Sequence, residues 1–576
     1  MQNKYFKFRI LLVGLLFFMA FIGIAAKAIH LQVFQSQWLS EAASDQYEKS
    51  LTVSGKRGNI YDRNRREMAV SIDVTSIAAY PDRVVDAEGT AHKLAGALKL
   101  DLHKIRQKLT RDRSFVWIKR KTTARETQLV KELELAGIGF VPEFNRFYPN
   151  KTLAAQALGF TGIDGKGLEG IEFYYNRQLR GAERKITILE DALGNGFRSR
   201  SRQVTGSSGH NLVLTIDGNI QFITESSLIE AVNQSSAKSA MAIVMQPGTG
   251  AILAMAHYPT INPNSYLNFD RSLWRNRTIT DPFEPGSTMK IFSAAAALES
   301  GDINHNDIFF CENGAYRIGK NIVHDTTKHG WLSLQQIIKY SSNIGAVKIS
   351  KRIGAKTLYQ TFQNFGFGAK SGIDCPGETP GSLSHHSSWS EIDIGAISFG
   401  HGLAVSAVQL VTAVSAIAND GILMKPYIVK EVTDQNGQQV KRFEPQQVRR
   451  AISGRTAGIV KNILKTVTTE GGTGIQAALD GYTVCGKTGT ARKLDEEGRY
   501  SNSKHVASFV GFAPAEKPEI AVLVIIDEPQ GSYYGGVVAA PVFKNIAQQT
   551  LSYLNVPPPD SDTTKFRVSR DNGANG

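Results

Sequence analysis

Cysteine is nearly absent: Cys311, Cys375 and Cys485 are the three in a chain of 576 residues. No Cys-x-x-Cys and no His-Glu-x-x-His spacing occurs, and the adjacent His385 and His386 lack a nearby third ligand in SLSHHSSW, which reads as a solvated loop. These absences argue against metal chemistry, so no metal and no cofactor is expected. An extracytoplasmic compartment permits one bridge, with Cys311 and Cys375 as the pair to test and Cys485 left as a small buried apolar residue. No internal repeat is present. Acidic residues are fewer than basic ones, 52 against 66, and the formal net charge of +14 favours an anionic partner without naming it. Hydrophobic content of 42% with 20% charged residues excludes wholesale disorder, and the length implies two or three folded units.

The clearest feature present is ILLVGLLFFMAFIGIAA (10–26), uncharged and preceded by Lys4, Lys7 and Arg9. It predicts a cytoplasmic tail over 1–8 and an uncleaved transmembrane anchor over 9–30, with the rest of the chain outside. AKA (26–28) imitates a signal-peptidase site, but the apolar run exceeds a signal-peptide core and a lysine interrupts the site. Residues 31–215 are polar and basic, with a dense run from Lys104, Arg106 and Lys108 to Lys119, Arg120, Lys121 and Arg125 that reads as an exposed helix face and its following strand. From 216 to 556 the texture changes. MAIVMQPGTGAILAMA (241–256) reads as two strands around a Pro-Gly turn, and 505–527 as a second adjacent pair. Helical segments at 288–300 and 404–421, the latter with Gly421 as C-cap, lie between these pairs and predict an α+β domain with an antiparallel sheet. Residues 557–576 show no apolar periodicity and read as a disordered tail.

Within FEPGSTMK (283–290), Pro285 and Gly286 place Ser287 at a helix start, where free N–H groups favour developing negative charge. Lys290 lies one turn on, on the same face, and can touch the serine oxygen. It activates that hydroxyl only as a free amine, so burial by IFSAAAAL must lower its pKa by about three units, at roughly 4 kcal/mol. Ser-x-x-Lys recurs at 235–238 and 501–504 without a breaker or a buried helix. What sets 287–290 apart is order and company: SSN (341–343) and KTGT (487–490) follow it, the signature set of penicillin-binding proteins and serine β-lactamases. Ser341 can relay a proton, the Asn343 amide offers donor and acceptor to a substrate backbone, and Lys487 supplies a fixed positive charge for a terminal carboxylate, helped by the Thr488 and Thr490 hydroxyls. Gly489 removes a side chain so that a substrate strand can lie close.

The chain resembles class B penicillin-binding proteins over nearly its whole length. RGNIYDRN (57–64), RFYPN (146–150), LGFTG (158–162) and GLEGIEFYYNRQLRG (167–181) are similar to blocks of that family's non-catalytic pedestal, and SFGHGLAVSAVQL (398–410) and YYGGVVAAPVF (533–543) to blocks around its transpeptidase site. The resemblance implies an α+β protein: one membrane helix, an elongated mixed α/β pedestal over 31–215, and a serine β-lactamase/transpeptidase-like domain over 216–556 with a central antiparallel sheet flanked by helices. It implies Ser287 as acylated nucleophile, Lys290 as general base, Ser341 and Asn343 as relay and orienting pair, Lys487, Thr488, Gly489 and Thr490 as the carboxylate-binding edge, and the Ser287 and Thr490 N–H groups as oxyanion hole. The implied substrates are peptidoglycan stem peptides ending in D-Ala-D-Ala, with β-lactams as covalent inhibitors and no nucleic acid.

KTGTARKLDEEGRY (487–500) and IIDEPQGSYYGG (525–536) are most similar to the cell-division branch. No glycosyltransferase block is recognisable, so the resemblance implies an integral-membrane polymerase partner of the shape, elongation, division and sporulation type, with other divisome proteins, at the bacterial inner membrane. Rival readings are an elongation- or sporulation-type transpeptidase, a β-lactamase, a D,D-carboxypeptidase, and a non-enzymatic β-lactam sensor or scaffold. The anchor and pedestal argue against a β-lactamase, and the intact Ser287, Lys290, Ser341 and Lys487 against a dead scaffold.

Overall fold

The computed structural model describes residues 2–36, 48–53, 55–182, 184–189, 208–495 and 497–558. Most of the tail expected to be disordered, from 559 on, lies outside the described residues. The chain forms two compact units.

The first unit comprises the N-terminal segment, residues 73–144 and residues 181–208. Its helix Gln2–Ile29 runs on into a π turn, and Phe6–Phe34 is long and apolar enough to cross a membrane. Strands Glu48–Val53 and Arg184–Leu189 pair antiparallel. Helices Ala87–Leu98, Leu102–Leu109 and Ala124–Glu132 start at Asp86, Asp101 and Thr123, each of which caps a free N–H, and they bury Leu94, Leu98, Ile105, Leu109 and Val130 against Ile77 and Ile118. The basic run falls as read. Lys104 and Arg106 are exposed on a helix, and on the next strand Lys119 and Arg120 pair with Glu126 and Glu143.

The second unit comprises residues 57–72, 145–180 and 209–558. In chain order its principal elements are helix α1 (Gly218–Ser235), strands β1 (Ser239–Met245) and β2 (Ile252–Tyr258), helices α2 (Lys290–Ser300), α3 (Leu334–Tyr340), α4 (Asn343–Asn364) and α5 (Ala407–Ala418), strands β3 (Cys485–Leu494), β4 (Tyr500–Ala513) and β5 (Ile520–Asp527), and helix α6 (Ala540–Tyr553). The strands form one antiparallel sheet in the order β3-β4-β5-β1-β2, so both expected pairs are present and β3 is an edge strand.

The period-two pattern of the strands explains the layering. Met241, Ile243, Leu523 and Ile525 point into the cluster containing α2 and α5, whereas Ala242, Val244, Val522 and Val524 point into the one containing α1 and α6. Helix α5 ends at Asn419, with Gly421 two residues beyond in the left-handed region, donating its N–H to the Ala416 carbonyl at 2.8 Å.

Segments 57–72 and 145–180 bury Ile60, Met68, Tyr148, Phe160 and Leu179 in the same core as β1 and α5. At their centre Glu172, fully buried, accepts from Arg57 Nε (2.6 Å) and Arg146 Nε (2.5 Å), and from Tyr148 Oη (3.2 Å). Burial alone pushes the Glu172 carboxyl up, but Arg146 and Arg57 hold it below its usual value.

The three cysteines are buried thiols. The bridge between Cys311 and Cys375 is not formed: the Cys311 thiol instead lies 3.5 Å from Ser342 Oγ.

Candidate active site

Ser287 occupies a tight 3-10 turn, Gly286–Met289, that feeds α2 at Lys290. The turn is fixed by close backbone packing. Thr288 Oγ1 donates to the Pro285 carbonyl at 2.9 Å, and Gly286 N–H donates to the Gly400 carbonyl at 3.1 Å. Gly400 has φ +92°, and a Cβ there would stand 2.0 Å from the Gly286 oxygen, so no side chain fits between the two segments. Ser293 Oγ on α2 donates to the Ser398 carbonyl at 2.7 Å and ties the helix to the same loop.

Helix α2 is buried on every side through Ala297, with the Phe292 ring 4.8 and 4.9 Å from those of Phe365 and Phe367. Lys290 is therefore fully buried. Its Nζ stands 3.0 Å from Ser287 Oγ, 2.6 Å from the Ser341 carbonyl, 3.2 Å from Ser341 Oγ and 2.7 Å from Asn343 Oδ1. Burial pulls its pKa down to about 7, although Asp325 opposes this. A neutral amine has two N–H donors and one lone pair. The Ser341 carbonyl and Asn343 Oδ1 can only accept and take the two donors, which leaves the lone pair to accept from the Ser287 hydroxyl.

SSN forms the junction between α3 and α4. Ser341 closes α3 with φ +60°, a left-handed conformation that normally calls for glycine, and Ser342 caps α4 by accepting from Gly345 N–H at 2.9 Å. The strained serine places its hydroxyl between two lysines, 3.2 Å from Lys290 Nζ and 3.0 Å from Lys487 Nζ. Asn343 is less free than its sequence suggests: Oδ1 accepts from Lys290 and Nδ2 donates to the His324 carbonyl at 2.9 Å. One amide N–H remains for a substrate.

KTGT lies on edge strand β3. Lys487 is fully buried and meets Ser341 Oγ, the Thr488 carbonyl and Thr488 Oγ1, with no carboxylate partner among the described residues. Burial first, and the Lys290 amine second, push its pKa well below the usual lysine value. An arriving carboxylate opposes that shift by supplying a counter-charge.

Thr488 Oγ1 lies 3.1 Å from Thr473 Oγ1, and Thr490 Oγ1 accepts from Gly535 N–H at 3.1 Å, leaving its own proton to donate. Gly489 has another reason than substrate approach. A Cβ there would stand 2.2 Å from Ser508 Oγ and 3.0 Å from the Pro285 oxygen, so the glycine lets β3 lie against the nucleophile turn. The Thr490 carbonyl is 2.9 Å from the Cβ position of Gly286, and since a strand residue aims N–H and C=O to the same side, the Thr490 N–H faces that turn as well.

All eight residues singled out in the sequence thus meet around one groove, while the two other Ser-x-x-Lys runs fall at the end of α1 and on β4. Sequence reasoning missed Asp325, which accepts from Ser342 Oγ (2.5 Å) and from the N–H groups of Asn343 (2.5 Å) and Ile344 (3.0 Å) and so fixes the start of α4. No spacing marks it; it arrives from a distant loop. It also missed Glu284, inside the octet FEPGSTMK, which pairs with His401 across more than a hundred residues.

A helix-start serine with a buried lysine, set against the edge strand of a helix-covered antiparallel sheet, defines the class: an active-site serine acyltransferase of the penicillin-recognising fold. The comparisons with known proteins agree. Residues 240–548 match the penicillin binding protein transpeptidase domain, and residues 52–214 the penicillin-binding protein dimerisation domain. The chain is 36% identical to the probable peptidoglycan D,D-transpeptidase PenA of Neisseria meningitidis, covering 93% of this chain and 91% of that one. It is 33% identical to stage V sporulation protein D of Bacillus subtilis (96% and 86% covered) and to the peptidoglycan D,D-transpeptidase FtsI of Escherichia coli (95% and 92%). Penicillin binding protein 3 of Mycobacterium tuberculosis, solved with aztreonam, superposes with a TM-score of 0.70 at 27% identity over 88% of this chain and 99% of its own. The chain belongs to the class B penicillin-binding proteins and is a peptidoglycan D,D-transpeptidase.

Proposed function

We propose that Ser287 is the acylated nucleophile of a septal transpeptidase, held at the inner membrane by Phe6–Phe34 with the N-terminus cytoplasmic and the catalytic unit outside. The observation that carries this reading is the fourfold contact of Lys290 Nζ with Ser287, Ser341 and Asn343. Lys290 takes the Ser287 proton as Oγ bonds to the penultimate D-Ala carbonyl carbon. The Ser287 and Thr490 N–H groups receive the oxyanion. The proton passes through Ser341 to the departing D-Ala nitrogen as the C–N bond breaks. Lys487, Thr488 and Thr490 hold the terminal carboxylate, and Asn343 donates its free amide N–H to the peptide. A second stem-peptide amine then displaces Ser287 and forms the cross-link.

The similarity of 487–500 and 525–536 to the cell-division branch supports the septal role. An integral-membrane glycan polymerase and other divisome proteins are the partners this role requires, and β-lactams trap the same serine.

Fluorescent-penicillin labelling of the full-length protein in detergent tests the assignment. Wild type acquires a stable label and Ser287→Ala none; labelling that survives the substitution refutes the nucleophile. Depletion in cells tests the role: filaments support division, round cells an elongation-type enzyme, and a defect confined to spores a sporulation-type one.

A further inference from the structure

Glu284 stands three residues before Ser287, and its carboxylate is a hub. Oε2 lies 2.8 Å from His401 Nδ1, Oε1 accepts from Gly402 N–H at 3.0 Å, and Tyr500 Oη donates to the two oxygens at 2.9 and 3.1 Å. In the tautomer that donates Nδ1–H to the carboxylate, Nε2 is an acceptor, and among the described residues nothing pairs with it. The Phe399 and Tyr500 rings stand edge-on to that imidazole at 5.5 and 5.4 Å. The result is a cup of two aromatic rings and an open acceptor over a carboxylate. It is partly open: the Tyr500 residue is 44% exposed and the His401 side chain 25%.

Its position gives it a use. Gly400, next to His401, packs its α-carbon on Gly286, and three residues of chain place Glu284 within about 11 Å of Ser287. The groove itself holds two lysines, Lys290 and Lys487, which suit the carboxylate end of the donor. The second substrate is the opposite case. A primary amine is an ammonium at neutral pH, and neither lysine offers it a negative partner. Beside the nucleophile turn, Glu284 supplies the negative pole such a cation needs. Burial pushes the Glu284 carboxyl up, but its hydrogen bonds to His401, Gly402 and Tyr500 hold it below the usual value and keep it ionised.

We propose that Phe399, His401 and Tyr500, backed by Glu284, dock the ammonium of the acceptor stem peptide before it attacks the acyl-enzyme. The proposal rests on Ser287 as the acylated residue. The ammonium donates to His401 Nε2 and lies against the aromatic rings in the field of Glu284. It sheds one proton to water on leaving the cup. Its lone pair then bonds to the acyl carbon, the bond from that carbon to Ser287 Oγ breaks, and the second nitrogen proton reaches Oγ by way of Lys290.

The experiment compares two acceptors with the full-length enzyme and a D-alanyl thioester donor. One acceptor is a stem tripeptide with a charged side-chain amine; the other is hydroxylamine, uncharged at neutral pH. In Glu284→Gln and in His401→Phe, the ratio of tripeptide transfer to hydroxylamine transfer falls about tenfold, the scale of a lost hydrogen bond to a charged group. An unchanged ratio overturns the dock, as does an equal loss with both acceptors, which marks the cluster as structural. If Glu284→Gln does not fold, His401→Phe decides alone. Penicillin labelling of the same samples separates the two levels: wild type that never labels defeats the Ser287 reading, whereas labelled variants with an unaltered ratio defeat only the acceptor site.

Discussion

At the scale of the residue, the proposed mechanism makes the chemistry depend on the state of one amine. With the Lys290 pKa near 7, the acylation rate by penicillin rises with pH, is half-maximal near pH 7 and levels off above it, as a stopped-flow pH series will record. The depressed value also means that the folded protein binds fewer protons than the unfolded chain between about pH 7 and the ordinary lysine value, so this residue makes stability rise with pH across that window. Lys290→Met therefore lowers acylation by about 10²–10⁴-fold and removes this residue's share of the pH dependence of stability, read from labelling kinetics and thermal melts of one preparation. Ser341→Gly also lowers acylation. It relieves a φ of +60° worth about 1 kcal/mol and removes the hydroxyl between the lysines, so melting temperature rises as acylation falls. The identities of Ser287, Lys290, Ser341 and Lys487 were legible in the sequence because the chemistry dictates residue type and spacing. The burial of Lys487, the occupied amide of Asn343 and the free thiols of Cys311 and Cys375 were not, since each depends on neighbours brought in by the fold.

At the scale of the element, the site is a meeting of three backbones. The nucleophile turn lies between the Gly400 loop and Gly489 on β3, with a glycine at each contact. Gly400→Ala, at φ +92° and 2.0 Å from a carbonyl oxygen, costs at least about 2 kcal/mol and displaces Ser287. The measurable result is a lower melting temperature together with slower labelling than the stability loss alone explains. Strand pairs such as 241–256 were readable from alternation and a Pro-Gly turn. The order β3-β4-β5-β1-β2 was not, because the pairing of β5 with β1 joins segments almost three hundred residues apart and leaves no local trace. Helix α4 was missed for a local reason: Gly354, at φ +78°, interrupts its apolar rhythm.

At the scale of the whole molecule, family resemblance located segments whose packing no local pattern foretold. The blocks at 57–64, 146–150 and 167–181 come together in one buried arginine–glutamate–arginine cluster. Glu172→Ala leaves two guanidiniums buried without a counter-charge and destabilises the second unit by about 3–5 kcal/mol. Replacing Arg57, Arg146 and Glu172 together by apolar residues of similar volume recovers most of that loss. Thermal melts of the two variants check both values, and a triple variant no more stable than the single one contradicts the account.

The seams around the nucleophile turn have a consequence for drug escape. Where main chains touch directly, no side chain exists to be exchanged for a smaller or bulkier one. A population challenged with a compound that acylates Ser287 thus finds few survivable changes in the heart of the groove. Selection is pushed outward to exposed positions such as Tyr534, 45% exposed, where a side chain is present to be exchanged.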